Sequence, residues 1–466
     1  MRTKLICALL TLCLFCSGCT VMDLDTQNLM SPPKATGDKA DIQKVIEENA
    51  GSYTLKYPQK GAYRSAVIMH DINGDGNDEA IAFYKTNISE GVSDITVIFI
   101  DQIAGVWQKV AAFQNSAAEV DRVCFADLNG DGMDAVLVGW SNYSTANQAT
   151  VFRYENGGIR PFDLEYSYTD LALNDFDKDG VVELFMSSVN TADKAAAARL
   201  LKYSAASDSL VNVGEVEMNP DVTQYASFQL GELENGYRGV YIDGVKSGNQ
   251  MITELVYWDP ENQILQAPFY SSAAMNKFTI ARPTDVTCMD INGDGILEIP
   301  NAKPFNGSVP ASNAVTLVDG ERAADEAPSP VYITQWQQYF PKEQELVTVQ
   351  NMYVNNENGY YFLVPSSWLD SMTGTLEPGK NQLTLSEWVV NSEGVGAAGA
   401  AVLKIRVFTK ANWDAQVTEA REFTCVMETD EKVYAVSIPE SGSEKVISYN
   451  DVAQRLGLIN SGDIVN

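Results

Sequence analysis

Between residues 52 and 351 the chain alternates short apolar runs with small polar interruptions. AVIM (66–69), EAIAFYK (79–85), ITVIFID (95–101), WQKVAAF (107–113) and RVCFAD (122–127) are rich in β-branched and aromatic residues. Gly, Asn, Asp and Ser separate them, a pattern that predicts many short strands joined by turns. One stretch departs from it. Ile42, Val45 and Ile46 fall on one helical face within residues 41–49, predicting a short helix. From about Tyr353 strand-like runs (YYFLV, LTLSEWVV, VLKIRVF, REFTCVME, KVYAVSIPE) interleave with a terminal helical pattern, YNDVAQRLGL. This mixture predicts a small α+β domain over 352–466, with Gly-rich VGAAGAA (395–401) as a loop or hairpin end.

The turns carry a repeat. DINGDGNDE starts at Asp71, DLNGDGMDA at Asp127, DFDKDGVVE at Asp175 and DINGDGILE at Asp290. The first two intervals are 56 and 48 residues and the third is 115, so a degenerate copy is expected midway. GELENGYRGVYID, from Gly231, fills that place with the Asn235-Gly236 turn kept and the acids lost. A period of about 50 residues, each with room for four strands, predicts β-propeller blades, about five of them or six, over residues 39–351.

Within the nonapeptide, positions 1, 3 and 5 bear Asp or Asn oxygens on alternate residues. Position 6 is Gly, where the chain turns sharply. Position 7 offers a carbonyl and position 9 a last carboxylate. Several hard oxygens on one loop suit Ca²⁺, while Mg²⁺ demands a tighter octahedron and soft metals want sulfur or imidazole. An EF-hand is excluded, because its twelfth position needs a bidentate Glu and here holds Ala82, Val138, Met186 and Asn301. The segment after each loop is strand-like rather than helical.

Composition and charge narrow the partners. Acidic residues outnumber basic ones 62 to 32, a formal charge of −30, which excludes nucleic acid and anionic lipid headgroups as partners. The single histidine, His70, rules out a multi-His zinc site within one chain, and no catalytic partner for it is evident. No nucleotide-binding or G-x-S-x-G fingerprint is present. The seven tryptophans are expected in cores, and Cys124, Cys288 and Cys425 as buried free thiols. At the N-terminus, Arg2 and Lys4 precede an apolar run from Leu5 to Phe15, of signal-peptide length and short for a membrane span.

Two resemblances arise from these motifs. Cys16-Ser17-Gly18-Cys19 resembles a bacterial lipobox, with Cys16 where Leu is usual. It implies a signal peptide over 1–18, lipidated Cys19, a tether over 19–38 containing Pro32-Pro33, and attachment to the outer face of a bacterial membrane. The nonapeptides, over residues 60–305, resemble the FG-GAP/VCBS calcium loops found in integrin-α-type propellers. That resemblance implies the ligands Asp71, Asn73, Asp75, the Asn77 carbonyl and Glu79 in the first loop. It implies Asp175, Asp177, Asp179, the Val181 carbonyl and Glu183 in the third, and Asp290, Asn292, Asp294, the Ile296 carbonyl and Glu298 in the fourth. The second loop has Asp127, Asn129, Asp131 and the Met133 carbonyl but Ala135 at position 9, so a weaker site is expected. The expected whole is a monomeric surface lipoprotein with three structural Ca²⁺ ions and a weaker fourth, binding a protein or glycan without catalysis. The alternatives are a propeller-fold polysaccharide lyase or glycosidase, and an envelope assembly factor.

Overall fold

A computed structural model describes residues 37–86, 94–143, 145–248, 250–271, 278, 281–283, 286–308, 330–440, 443 and 445–459. The expected signal peptide, Cys19 and nearly all of the tether lie outside the described residues. The protein is mainly β, built of six antiparallel sheets in chain order.

Sheet 1 contains β1 (Tyr53–Lys56), β2 (Val67–His70), β3 (Glu79–Thr86), β4 (Ile95–Ile103) and β5 (Val106–Asn115). Sheet 2 runs β6 (Glu119–Ala126), β7 (Ala135–Asn142), β8 (Thr145–Glu155), β9 (Gly158–Asp163). Sheet 3 runs β10 (Asp170–Asn174), β11 (Glu183–Ser188), β12 (Ala197–Ser204), β13 (Ser209–Glu217). Sheet 4 runs β14 (Val222–Glu232), β15 (Arg238–Lys246), β16 (Gln250–Asp259), β17 (Ile264–Gln266). Sheet 5 is β18 (Ile299–Pro304), β19 (Tyr332–Phe340), β20 (Glu345–Asn355), β21 (Tyr360–Leu363) and β27 (Leu456–Leu458). Sheet 6 combines β22 (Met372–Glu377), β23 (Gln382–Val390), β24 (Gly396–Thr409), β26 (Lys432–Ser437) and β25 (Thr424–Glu428).

The strands alternate side chains between two buried faces, and this stacks the sheets. On β3, Ile81 and Phe83 meet Val136, Val138 and Trp140 of sheet 2, while Ala80, Ala82 and Tyr84 face the other way. Leu137 of sheet 2 meets Leu184 and Met186 of sheet 3. Phe185 of sheet 3 meets Val240, Ile242 and Trp258 of sheet 4. Tyr241 and Leu255 of sheet 4 meet Ile299 and Tyr339 of sheet 5, and Ile333 and Phe362 of sheet 5 meet Leu383 and Ile405 of sheet 6. The two outward faces are capped. The expected helix forms as α1 (Asp38–Ala50) and lays Ile42, Val45 and Ile46 on sheet 1. The other face of sheet 6 is covered by Trp413 of α2 (Lys410–Asp414) and Ala420 of the following 3₁₀ turn. Among the described residues no hydrophobic cluster joins sheet 1 to sheet 6.

Three expectations change. The boundary drawn at 351/352 falls inside β20, and β27 returns from the C-terminal region to sheet 5. The region read as an α+β domain therefore completes the fifth sheet and makes a sixth. Its helices are short, α2 and α3 (Tyr449–Arg455), the latter started by a Ser448/Asp451 capping box. Residues 395–401, read as a loop or hairpin end, lie at the end of the β23–β24 hairpin, and all but Val395 already belong to β24: the bare Gly396 backbone lies under the Trp388 ring, where an added Cβ would come within 2.1 Å. Of the three thiols, Cys288 is buried, Cys124 half-buried, and Cys425 exposed, because β25 is the sheet's edge strand. Trp107, Trp140, Trp258, Trp336 and Trp368 are buried, as expected.

One buried carboxylate between sheets 3 and 4 gives the fold a pH dependence. Glu254 is 3 % exposed; one oxygen accepts the Asn219 N–H at 2.6 Å and the other has no partner. The Ser187 and Tyr225 hydroxyls nearby are also unpaired. Burial pushes Glu254 from 4.5 up to about 7, against the Asn219 hydrogen bond and the Lys246 charge. The folded state thus holds a proton that the unfolded chain releases, and stability falls as pH rises from 4.5 to about 7, then levels. Glu254→Gln is expected to flatten that slope and to stabilise the protein by about 2 kcal/mol at pH 8. Urea midpoints of both proteins from pH 4.5 to 8 check it; parallel profiles refute it.

Candidate functional site

The nonapeptides occupy the same place in four sheets. The first three join the strand ending at His70, Ala126 or Asn174 to the next strand and pair that residue across the ladder with position 9, and the fourth leads into β18 with Met289 in an isolated bridge to its position 9, Glu298. In sheet 4 the corresponding connection is five residues long, Leu233–Tyr237, and Arg238 stands opposite Glu232 in the place of position 9.

The loop backbone follows from its acids. In the first loop, Asp71 accepts the N–H groups of Gly74 (2.7 Å) and Gly76 (2.9 Å), Asn73 accepts that of Asp75, and Asp75 that of Asn77. Glu79, fully buried, accepts from the Ile72 and Asn73 backbones and from the Asn73 amide. The other loops repeat this weave: Asp127 and Asp290 accept from positions 4, 5 and 6, and Asp175 from 5 and 6. Asp131 accepts the N–H of Met133, Asp179 that of Val181 and Asp294 that of Ile296. Position 6 has φ between +85° and +92°, the left-handed conformation that requires Gly.

Position 4 is also left-handed, and its glycines have a second use. The Met133 side chain of the second loop lies on Gly74 of the first, 3.2 Å from where a Cβ would stand, and Val181 of the third lies likewise on Gly130. The first three loops therefore tile, the position-7 side chains of the second and third each seated on the loop before. The first loop has no predecessor and its position 7 is polar Asn77. The signal was legible, since the residue at this position turns apolar from the second loop onward.

The donor chemistry fits a hard cation. In the third loop Asp175, Asp177, Asp179 and Glu183 each place an oxygen within 4.8 Å of the others, as do Asp290, Asp294 and Glu298 in the fourth. Without a counter-charge these acids are crowded. Burial, then the neighbouring Asp101, Asp71 and Asp75, push Glu79 up to about 7 despite the Ile72 hydrogen bond. Glu298 is raised by burial, with Asp294 and Asp290 adding. In the second loop Ala135 supplies no carboxylate. Asp134 turns away to His70 (2.8 Å), whose ring stacks on Phe125 at 3.8 Å. His70 thus has a partner that the sequence, 64 residues apart, did not disclose. The pair ties sheet 1 to sheet 2.

A second feature lies at the opposite ends of the same strands. β6 and β7 run between the loop end and a cleft of about 1420 Å³ over sheets 1 to 3, roughly 20 Å away by strand length. Tyr143 (84 % exposed) and Tyr57 (46 %) present aromatic rings there. Glu119 accepts from Lys56 (2.7 Å) and from the Tyr143 hydroxyl (2.8 Å). Burial raises its carboxyl, but these two hydrogen bonds prevail and hold it below the usual glutamate range. The floor is rigid: Asp121 accepts from Arg122 and Tyr168, and Arg122 also pairs with Asp170 at 2.7 Å. Lys60 lies 3.7 Å from Asp121 at the rim.

No family model and no curated protein matches the sequence. Among solved structures, the chain is similar to a putative 6-phosphogluconolactonase from Bacteroides uniformis at 12 % identity and TM-score 0.28, over 74 % of this chain and 90 % of that one. It is similar to the Dos1 propeller at 11 % and 0.28, over 81 % and 84 %. It is also similar to the exotype rhamnogalacturonan lyase YesX at 10 % and 0.26, over 74 % and 71 %. At these values no activity or substrate is transferred.

Proposed function

We propose that this protein is a lipid-anchored bacterial surface scaffold in which Ca²⁺ braces a propeller-type stack of blades and the cleft over sheets 1 to 3 binds a glycan. The blade reading rests on consecutive four- or five-stranded sheets packed face to face, with their loops at one end. Asp71, Asn73, Asp75 and Glu79 would hold one ion, and Asp290, Asn292, Asp294 and Glu298 another, each with the position-7 carbonyl. Bound there, Ca²⁺ supplies charge neutralisation and loop rigidity. Its place at the far end of the strands makes it a brace rather than a contact to ligand. The anchor is the lipid on Cys19.

The observation that carries the binding reading is the cleft's pairing of exposed Tyr57 and Tyr143 rings with a fixed Glu119–Lys56 pair. Sugars offer C–H faces to aromatic rings and hydroxyls to charged acceptors and donors, and this lining supplies both. Binding of polysaccharides to the full chain in detergent, followed by affinity electrophoresis, tests it. Tyr143→Ala is expected to weaken retention at least tenfold, about 1.4 kcal/mol, without moving the melting temperature. Equal retention of the variant by every glycan that binds the parent removes the cleft from consideration. Product analysis in the same gels separates the enzyme reading: turnover lost in Glu119→Gln would indicate a lyase or glycosidase.

A further inference from the structure

We propose that the third loop is neutralised by the protein's own cations, Lys202 above all, and folds without a metal ion, so that the loop with the most carboxylates at ligand positions is not a Ca²⁺ site. The inference rests on the calcium reading of the other loops. It begins with the strand beside each loop. One step beyond the pair Leu184–Leu201, the residue opposite Glu183 is Lys202. The same step places Asp101 opposite Glu79, Arg153 opposite Ala135 and Gln338 opposite Glu298. One structural position thus decides what each ninth residue faces.

In the third loop it brings an ammonium into the middle of the acids. Lys202 Nζ lies 2.5 Å from Asp177 Oδ2, 2.6 Å from Asp179 Oδ2 and 3.1 Å from Glu183 Oε1. Two of the four carboxylates that a metal would need therefore accept from one cation, and a third, Glu183, faces it at ion-pair distance without a formed hydrogen bond. The fourth, Asp175, is met from the next sheet. Arg238 stands 4.0 Å from Asp175 Oδ2 and donates to the Asp175 carbonyl (2.5 Å) and to Asn174 (3.0 Å). Arg238 is the residue that replaced the ninth-position acid of sheet 4, so the loss of one acidic loop and the neutralisation of its neighbour are a single arrangement. The degenerate turn is short enough for its Gly236 to lie against Lys178 of the third loop, where an added Cβ would come within 2.8 Å of the ammonium.

The other loops differ in charge. At the fourth, Gln338 Nε2 donates to Asp294 and Glu298 at 2.8 Å each. It carries no charge to repel an ion, and by turning its amide it can offer an oxygen instead. At the first, Asp101 adds a carboxylate. Of the three loops with a ninth-position acid, the third alone among the described residues meets an entering Ca²⁺ with a cation on the facing strand, and the ion must expel that tethered ammonium from among three carboxylates.

The test compares the wild-type chain with Lys202→Met and Lys202→Arg, by melting in EGTA and by calorimetric titration with Ca²⁺. Lys202→Met is expected to melt lower in EGTA, by roughly 5 °C, and to bind one more Ca²⁺ than wild type, with the melting temperature then recovered. Lys202→Arg keeps the charge and is expected to melt near wild type with no added ion. Asp179→Asn in the wild-type background is expected to leave the number of bound ions unchanged. Equal melting of Lys202→Met and wild type in EGTA overturns the proposal, as does an ion lost on Asp179→Asn. Should no variant bind Ca²⁺, the calcium reading fails, and the EGTA melts alone decide whether Lys202 is the counter-charge.

Discussion

Transfer from millimolar Ca²⁺ to excess EGTA is expected to lower the melting temperature of the wild-type protein by roughly 5–10 °C. The size follows from linkage. An ion that binds only the folded state adds about 2.7 kcal/mol per site at a hundredfold excess over its Kd, and two sites, in the first and fourth loops, are counted. The structure supplies the reason for a large response. Glu79 and Glu298 are fully buried at the inner edge of their loops, with three and two neighbouring acids respectively raising their carboxyls further after burial itself. A divalent cation relieves both burdens at once, while Mg²⁺, which holds its water and demands an octahedron, is expected to restore less than half of the loss. Asp71→Ala and Asp290→Ala should each remove part of the Ca²⁺ effect, and Asp127→Ala little of it, because the second loop has Ala135 at its ninth place and Arg153 opposite. Differential scanning of these proteins in EGTA, Ca²⁺ and Mg²⁺ measures all of this. Coincident melts in EGTA and Ca²⁺ would falsify the bracing role.

Much of this arrangement was written into the chain at short range, and the remainder was not because it depends on register. The nonapeptides mark the first turn of sheets 1, 2, 3 and 5, and their spacing located the altered turn of sheet 4. Sheet 6 has no such mark: β22 and β23 are joined through Pro378–Lys380 in a single 3₁₀ turn, so nothing announces another sheet. Its Gly396 and Gly399 read as part of a loop or hairpin end because glycine weakens a strand in isolation. Here they are needed where Trp388 and Val389 lie on the backbone. The occupant of the third loop was hidden for another reason. Lys202 is 19 residues beyond Glu183, and only the antiparallel pairing of β11 with β12 sets one beside the other. Ligand patterns along a loop report which oxygens are present. The charge facing them comes from the adjacent strand, and a loop motif taken alone overcounts metal sites for that reason. His70 and Asp134 illustrate the same limit between sheets.

Asp243→Ala is expected to cost about 3–5 kcal/mol, since it strands a guanidinium in the interior. Asp243 and Arg282 are both wholly buried and paired at 2.7 Å. Arg282 spends its other donors on the Val286 carbonyl (2.7 Å) and the Thr253 hydroxyl (3.0 Å), and Asp243 also accepts from Thr253 (2.7 Å) and from the Cys288 N–H (2.8 Å). The network pins Arg282, Val286 and Cys288 against sheet 4, beside the bridge in which Met251 and Arg282 exchange backbone hydrogen bonds at 2.8 Å. Those residues lead directly into the fourth loop, so the pair sets where Asp290 begins. Removing one charge leaves the other desolvated, whereas removing both ends the ionic penalty and leaves the smaller cost of repacking and of the Cys288 N–H and Val286 carbonyl losing their partners. The double variant Asp243→Leu/Arg282→Met is accordingly expected to recover more than half of the stability that Asp243→Ala loses. It should also recover the Ca²⁺ response of the fourth loop, which Asp243→Ala weakens by freeing its N-terminal side. Urea midpoints with and without Ca²⁺ for the single and double variants close the cycle. If Asp243→Ala unfolds at the wild-type midpoint, the buried pair does not hold this segment in place.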